Sequence, residues 1–302
     1  MTIYDPLALE CLAAIIEEGG FERAAQRLNV TQSAISQRLR VLEGQVGAIL
    51  IVRSRPLQAT SAGRLLLKHA KQLRLIRTDL ERDLKELAPG ASGGIREDGR
   101  ISIAINADSI ASWALDALTD LVTQGLPIEI IADDQDFTHD WLREGQVLGC
   151  VTTLKQPLRG CKVTGLGAMN YVAVATPAYA QTHLAGGLDA SNFRNITYIA
   201  FNRKDDMQRD FVAKALGLKH ISLCQLFVPS SEGQVRAALG GWGVSVVPEL
   251  LVRGLVETGA LVNVAPGHVM ATQLYWHCWN LESDVLDAIT VALSTRAEKL
   301  LA

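Results

Sequence analysis

The sequence predicts an α/β protein in two unequal parts. A helical N-terminal unit closed by a β-wing precedes a larger unit of alternating strands and helices folded as two lobes. Three observations point there. In the first 65 positions apolar residues recur three and four apart, the period of helices that bury one face. Between Gly63 and Pro89 no Gly or Pro interrupts a seven-residue leucine repeat. From residue 100 short apolar runs alternate with amphipathic stretches, which implies parallel sheets with helices on both faces. The expected divisions are 1–63, 64–88, a hinge over 89–99, and 100–302.

A chain of 302 residues exceeds what one core usually serves. With 48% hydrophobic and 20% charged residues it reads as an ordinary globular protein. No apolar run approaches the roughly 18 residues of a membrane span. The opening MTIYDPLALE lacks the basic region and apolar core of a signal peptide, so the expectation is a cytoplasmic protein without membrane contact. Cysteines at 11, 150, 161, 224 and 278 are odd in number and form no CxxC pair. That argues for a reducing compartment and against disulfides, a zinc site or another metal. The net charge of −3 conceals an asymmetry. Residues 23–77 hold eleven Lys/Arg and one acid, Glu43, whereas residues 89–302 hold sixteen against twenty-two. A basic front suggests a polyanion partner there; a solvated charged face is the alternative.

Residues 7–18 form the first helix, with Leu9, Leu12, Ile15 and Ile16 on one face, and Gly19-Gly20 ends it. FERAAQRL (21–28) is a second helix facing inward through Phe21, Ala25 and Leu28. Asn29-Val30 turns, and Thr31 is placed to cap a third helix with its hydroxyl. Two short helices and a tight turn make a helix-turn-helix, whose second helix enters the DNA major groove. Ile35, Leu39, Leu42 and Val46 share its inner face. Gln32, Ser33, Ser36, Gln37 and Arg40 point outward; Gln pairs bidentately with adenine, Ser takes several base edges, Arg suits guanine or phosphate. Arg23, Arg27 and Arg38 suit phosphate positioning. Ile49–Val52 and the turn at Ser54-Arg55-Pro56 read as a β-wing with Arg53 and Arg55 at its tip, near the flanking minor groove.

FERAAQRLNVTQSAISQRLRVLE, followed by Gly47, Leu50, Arg53 and the TSAG of residues 60–63, resembles the DNA-binding domain of LysR-type transcriptional regulators. Val52 stands where the family wing usually carries Phe, and Ala59-Thr60 where it has Leu-Thr.

In the connecting helix Leu66, Leu73, Leu80 and Leu87, with Ala70, Ile76 or Arg77, and Leu84 near the intervening positions, form a short heptad seam suited to dimerisation. Packing on its own domain is the alternative. LAPGASGGIREDGR (87–100) then breaks the helix.

In the larger unit, strands are expected at ISIAIN, IEIIA and VLGCVTT, and from residue 170 at YVAVAT, ITYIAF, LFVPS and GVSVVP. LYWHCW and a last helix return to the first set, giving lobe I over about 100–168 and 270–302 and lobe II over about 169–269. Ligands in such sheets lie beyond the strand carboxyl ends, at helix N-termini. Those ends carry Asp108 and Ser109, Thr152 and Thr153, Asp205 and Asp206, and Ser230, Ser231 and Glu232. A carboxylate-binding helix end among acids suits a zwitterion with an extra positive charge, lysine or arginine being the obvious small examples. Each acid has the alternative of being a helix cap. INADSIASW and LYWH extend the resemblance to the ArgP/LysG branch of the family. That resemblance implies a two-lobed effector domain similar in plan to periplasmic binding proteins, and a basic amino-acid effector bound near Asn106, Asp108 and Ser109. It also implies control of genes such as a basic amino-acid exporter. The partners implied are double-stranded promoter DNA, a second or further copies of the chain as dimer or tetramer, and RNA polymerase.

No Walker loop, GxSxG elbow, GxGxxG or HExxH appears, so neither catalysis nor a cofactor is expected. His277-Cys278 reads as a packed strand pair with opposed side chains. A LysR-type regulator with another effector, and a nucleoid-type protein of low sequence preference, are the competing readings.

Overall fold

A computed structural model describes residues 4–52, 54, 57–87, 100–133 and 138–301. Helix α1 (Pro6–Glu17) starts where Asp5 accepts the Leu7 N–H and proline fills the first position. Helices α2 (Phe21–Arg27) and α3 (Gln32–Val46) follow, and the Thr31 hydroxyl caps α3 by accepting the Ala34 N–H. Leu9, Leu12, Ile15, Ile35, Leu42 and Leu50 close a dry core. Strands β1 (Ile51–Val52) and β2 (Gln58–Ala59) pair antiparallel as the base of the wing. Arg53 and Arg55 lie outside the described residues.

Helix α4 runs over Ser61–Leu87, starting three residues before the expected 64–88. Gly63 lets it begin tightly on the wing, because a Cβ there would lie 2.1 Å from the Leu50 carbonyl oxygen. The heptad positions divide between two environments along the helix. Leu66 and Leu73 are half-buried against the N-terminal core, which already offers them an apolar surface. Leu75 is buried in the core of the larger unit. The residues left exposed are Leu65, Ile76, Leu80 and Leu84. The side chain of Leu87 is outside the described residues.

The larger unit begins with β3 (Ile101–Asn106) and a continuous helical run: α5 (Ala107–Ser109), a π-helical turn (Ile110–Ala114) and α6 (Leu115–Thr123). Then come β4 (Ile128–Asp133), α7 (Thr138–Arg143), β5 (Gly149–Thr152) and β6 (Cys161–Ala175). Lobe II holds α8 (Pro177–His183), β7 (Thr197–Ala200), α9 (Met207–Leu216), β8 (Cys224–Phe227), α10 (Ser231–Leu239), β9 (Val244–Pro248), α11 (Glu249–Glu257) and β10 (Val262–Asn263). Strand β11 (Met270–Trp279) and α12 (Asp284–Leu300) return to lobe I.

The strand order is β4-β3-β5-β11-β6-β9-β7-β8, with β10 on β6. Pairs within each lobe, β3 with β4 and β5, β7 with β8 and β9, are parallel as the βα alternation predicts. The lobes are joined by β6 and β11, which pair antiparallel with each other, and β11 also with β5 and β6 with β9. The sheet is therefore mixed and continuous, not two separate parallel sheets.

Helix α4 is fastened to both neighbours by buried charge. Glu17 of α1 meets Arg27 of α2 at 2.6 Å, Lys71 at 2.9 Å and Arg74 at 3.1 Å. Arg74 also pairs with Glu10. On the other side Lys71 Nζ donates to the Gln146 carbonyl at 2.5 Å, and Asp79 accepts the Val285 N–H at 3.2 Å.

Candidate functional site

Two surfaces carry the predicted chemistry. On α3, Gln32, Ser33, Gln37 and Arg40 are exposed and Ser36 is half-exposed, on the side away from Ile35, Leu39 and Leu42. Thr31 is also exposed, its hydroxyl shared between the cap and Ser33 at 2.9 Å. Arg23 is exposed on α2. One arginine sits elsewhere than expected. Arg27 turns inward to Glu17 and Glu18, so its charge is already matched inside the domain. Arg38 lies one helical step of about 100° from Gln37. It is half-buried on the flank of α3, beside Cys11.

The second surface is a cavity of about 40 Å³ between the lobes, lined by Asn106, Ala107, Asp108, Asp133, Tyr171, Phe201, Asp205, Met207, Gln208, Gln234 and Val246. Asp108 stands in the first turn of the helical run after β3. Its carboxylate accepts the Tyr171 hydroxyl at 2.7 Å and, across the cleft, the Ser231 hydroxyl at 2.6 Å. Burial holds the Asp108 carboxyl above the ordinary range; the two hydroxyls pull it back, and Asp205 pushes it up again. Asp133 closes β4 and accepts the Trp141 indole N–H at 2.7 Å. Asp205 accepts the backbone N–H groups of Phe201 and Met207, each at 2.9 Å. Both polar atoms of the Asn106 amide, and the Ser109 hydroxyl, are buried without a hydrogen-bond partner among the described residues. Such groups are costly to leave unpaired, and here they stand at the start of a helix, where backbone N–H groups favour a carboxylate. Among the described residues the lining holds three carboxylates and no Lys or Arg.

Of the residues predicted for this site, Asn106, Asp108 and Asp205 line the cavity, Ser231 reaches it through Asp108, and Ser109 lies buried one residue beyond. Thr152 and Thr153 do not line it; Thr152 is buried and accepts the Leu154 N–H. Ser230 is the α10 cap, accepting the Gly233 N–H, and Glu232 is exposed on that helix. Asp206 pairs with Arg209. Asp133, Tyr171, Gln208 and Gln234 escape sequence reasoning. One signal does exist for Asp133: it ends β4 in parallel register with Asn106, the end of β3. His277 is buried, and its Nε2–H donates to the Leu154 carbonyl at 2.6 Å. No helix among the described residues is long and apolar enough to cross a membrane.

Residues 7–64 match the family described as bacterial regulatory helix-turn-helix protein, lysR family, and residues 95–288 match the LysR substrate binding domain. The chain is 40% identical to the HTH-type transcriptional regulator ArgP of Aeromonas salmonicida, over 100% of this chain and 99% of that protein. Its fold is similar to the crystal structure of ArgP from Mycobacterium tuberculosis, at 37% identity, 99% coverage of both chains and a TM-score of 0.82. It is also similar to full-length LysG from Corynebacterium glutamicum with bound effector Arg, at 31% identity, 98% and 99% coverage and a TM-score of 0.71.

Proposed function

Because this chain belongs to the LysR family of bacterial regulators, we propose that it is a DNA-binding transcriptional regulator, not an enzyme, whose second domain senses arginine or lysine. The observation that carries the choice of effector is the cavity wall. Asp108, Asp133 and Asp205 face a space that no basic side chain among the described residues lines. A cation entering there meets carboxylates that offset part of the hydration it loses. The unpaired Asn106 amide and Ser109 hydroxyl at the helix start suit the effector's carboxylate. The LysG relative whose structure holds the bound effector Arg has a similar full-length fold.

The cavity of about 40 Å³ falls far below the usual volume of a ligand site, about 300–1,000 Å³. The effector therefore enters with the lobes apart and is held as they close. Asp108 bridges both lobes, so a ligand that engages it exchanges a lobe-to-lobe hydrogen bond for its own contacts. That exchange gives the two arrangements different affinities for the ligand, which any ligand-driven switch requires. On DNA, α3 reads base edges through Gln37 and its neighbours. The exposed Ile76, Leu80 and Leu84 of α4 pair copies of the chain, so that a homodimer or homotetramer spans two or more half-sites. Genes of basic amino-acid export are the expected targets, RNA polymerase a further partner, and the cytoplasm the compartment.

Thermal unfolding against arginine, lysine, norleucine and citrulline tests the effector. A saturable rise with arginine or lysine alone is expected, since the other two lack the side-chain charge. Equal rises with citrulline and norleucine overturn a role for the carboxylates.

A further inference from the structure

A line of short contacts runs from the cavity wall to the helix-turn-helix. Asp133, on the wall, accepts the Trp141 indole N–H at 2.7 Å. Trp141 belongs to α7, and its carbonyl accepts the Gln146 N–H at 2.9 Å in the turn that leaves this helix. The Gln146 carbonyl accepts Lys71 Nζ of α4 at 2.5 Å. Lys71 Nζ pairs with Glu17 of α1 at 2.9 Å. Glu17 in turn pairs with Arg27, the last residue of α2, at 2.6 Å. Every step is a charged or backbone hydrogen bond, and Lys71 is only 4% exposed.

The same turn also touches α4 sterically. Gly145 has φ +73°, and a Cβ on it would lie 2.7 Å from Lys68 Cβ and 3.0 Å from Lys68 Cα. Its backbone thus rests on the helix that carries Lys71. Any shift of α7 moves this turn against α4, and the contact that registers it is the one between Gln146 and Lys71.

We propose that Lys71 is the positioning residue through which the occupancy of the cavity sets the orientation of the helix-turn-helix. The inference rests on the sensor reading above. A cationic effector competes for the Asp133 carboxylate, releases Trp141 and shifts α7. Lys71 then exchanges the Gln146 carbonyl for its other neighbours, Glu17 and the Ser102 hydroxyl at 3.4 Å. Helices α1 and α2 follow, because Glu17 holds Lys71 and Arg27 together.

The test is Lys71→Met in the full-length chain. Glu17 keeps Arg27 and Arg74 in this variant, so the N-terminal domain retains matched charges. Expected are an arginine affinity within about twofold of wild type by calorimetry and retained promoter binding by fluorescence anisotropy. The arginine-induced change in promoter affinity, about 2- to 30-fold in wild type, falls below twofold. A full arginine response in Lys71→Met overturns the proposal. Gly145→Ala disturbs the same contact from the lobe I side and leaves the Glu17 network whole. If Lys71→Met fails to fold, the arginine response of Gly145→Ala is read in its place, with the same outcomes for and against. A cycle of Asp133→Asn and Lys71→Met on promoter affinity without ligand separates this inference from the sensor reading. Non-additivity of about twofold or more supports the path, and additivity overturns it. A wild type indifferent to arginine and lysine overturns the sensor reading, while the cycle still decides the path.

Discussion

Replacing Glu17 by Gln is expected to destabilise the N-terminal domain by roughly 3 kcal/mol at neutral pH and by little in strong acid. Burial alone would raise this carboxyl. Lys71, Arg74 and Arg27, at 2.9, 3.1 and 2.6 Å, outweigh burial and bring it from 4.5 down to about 2. A difference of that size, at about 1.4 kcal/mol per pH unit, is worth roughly 3 kcal/mol of folding free energy. Because the folded value is depressed, the contribution is complete above 4.5 and disappears as pH falls through about 2. Gln keeps the shape and one acceptor but cannot balance three cations, two of which are nearly buried on α4. The assay is urea unfolding at several pH values, followed by circular dichroism, with hydrogen exchange of α1 to α4 assigning the transition. The two stability curves should lie apart at pH 7 and converge towards pH 2. Curves that coincide at pH 7, or stay parallel throughout, would refute the reasoning.

Gln37→Ala should weaken the cognate site by about 1–3 kcal/mol and leave competitor DNA nearly unchanged; equal losses on both, read by anisotropy, would reduce Gln37 to a positioning contact. Burial holds the Asp108 carboxyl above the ordinary range, and a cationic effector favours its ionised form. Effector affinity should therefore rise with pH through that raised value, with release of a proton. Calorimetry in buffers of different ionisation heat measures this, and a flat profile without proton release would contradict it. Leu80→Glu, at a position 54% exposed, should shift sedimentation velocity towards smaller species without lowering thermal stability; unchanged sedimentation would remove α4 from the assembly contact.

The N-terminal part of the fold is legible because its signals are local. Helical spacing, the Thr31 cap, the Gly19-Gly20 stop and the unbroken span to Leu87 each act within a few residues. The cavity is less legible because β6 and β11 assemble it across the whole chain. Tyr171 meets Asp108 from 63 residues away, and Ser231 meets it from 123. Nothing local marks Tyr171, and Ser231 is nominated only by its place at a helix start. Thr152, Ser230 and Glu232 share the strand-end and helix-start positions of the true lining, but their side chains serve backbone caps or face solvent. A position at a strand end thus nominates residues; the side-chain direction that selects among them is set by pairing register, as Asn106 opposite Asp133 shows.

Charge shows the same division between composition and geometry. Eleven basic residues against one acid between 23 and 77 read as a surface for a polyanion. Three of the eleven, Arg27, Lys71 and Arg74, are instead satisfied inside the protein by Glu10, Glu17 and Glu18, which precede that window. Buried ion pairs are seldom the most stable way to fill a junction, since apolar side chains of similar size often do as well or better. An apolar junction packs in one manner, because interiors are close-packed. A lysine among Glu17, the Gln146 carbonyl and the Ser102 hydroxyl has acceptors on two domains. A junction of that kind suits two domain arrangements of similar energy, which is what a ligand with modest differential affinity is able to shift.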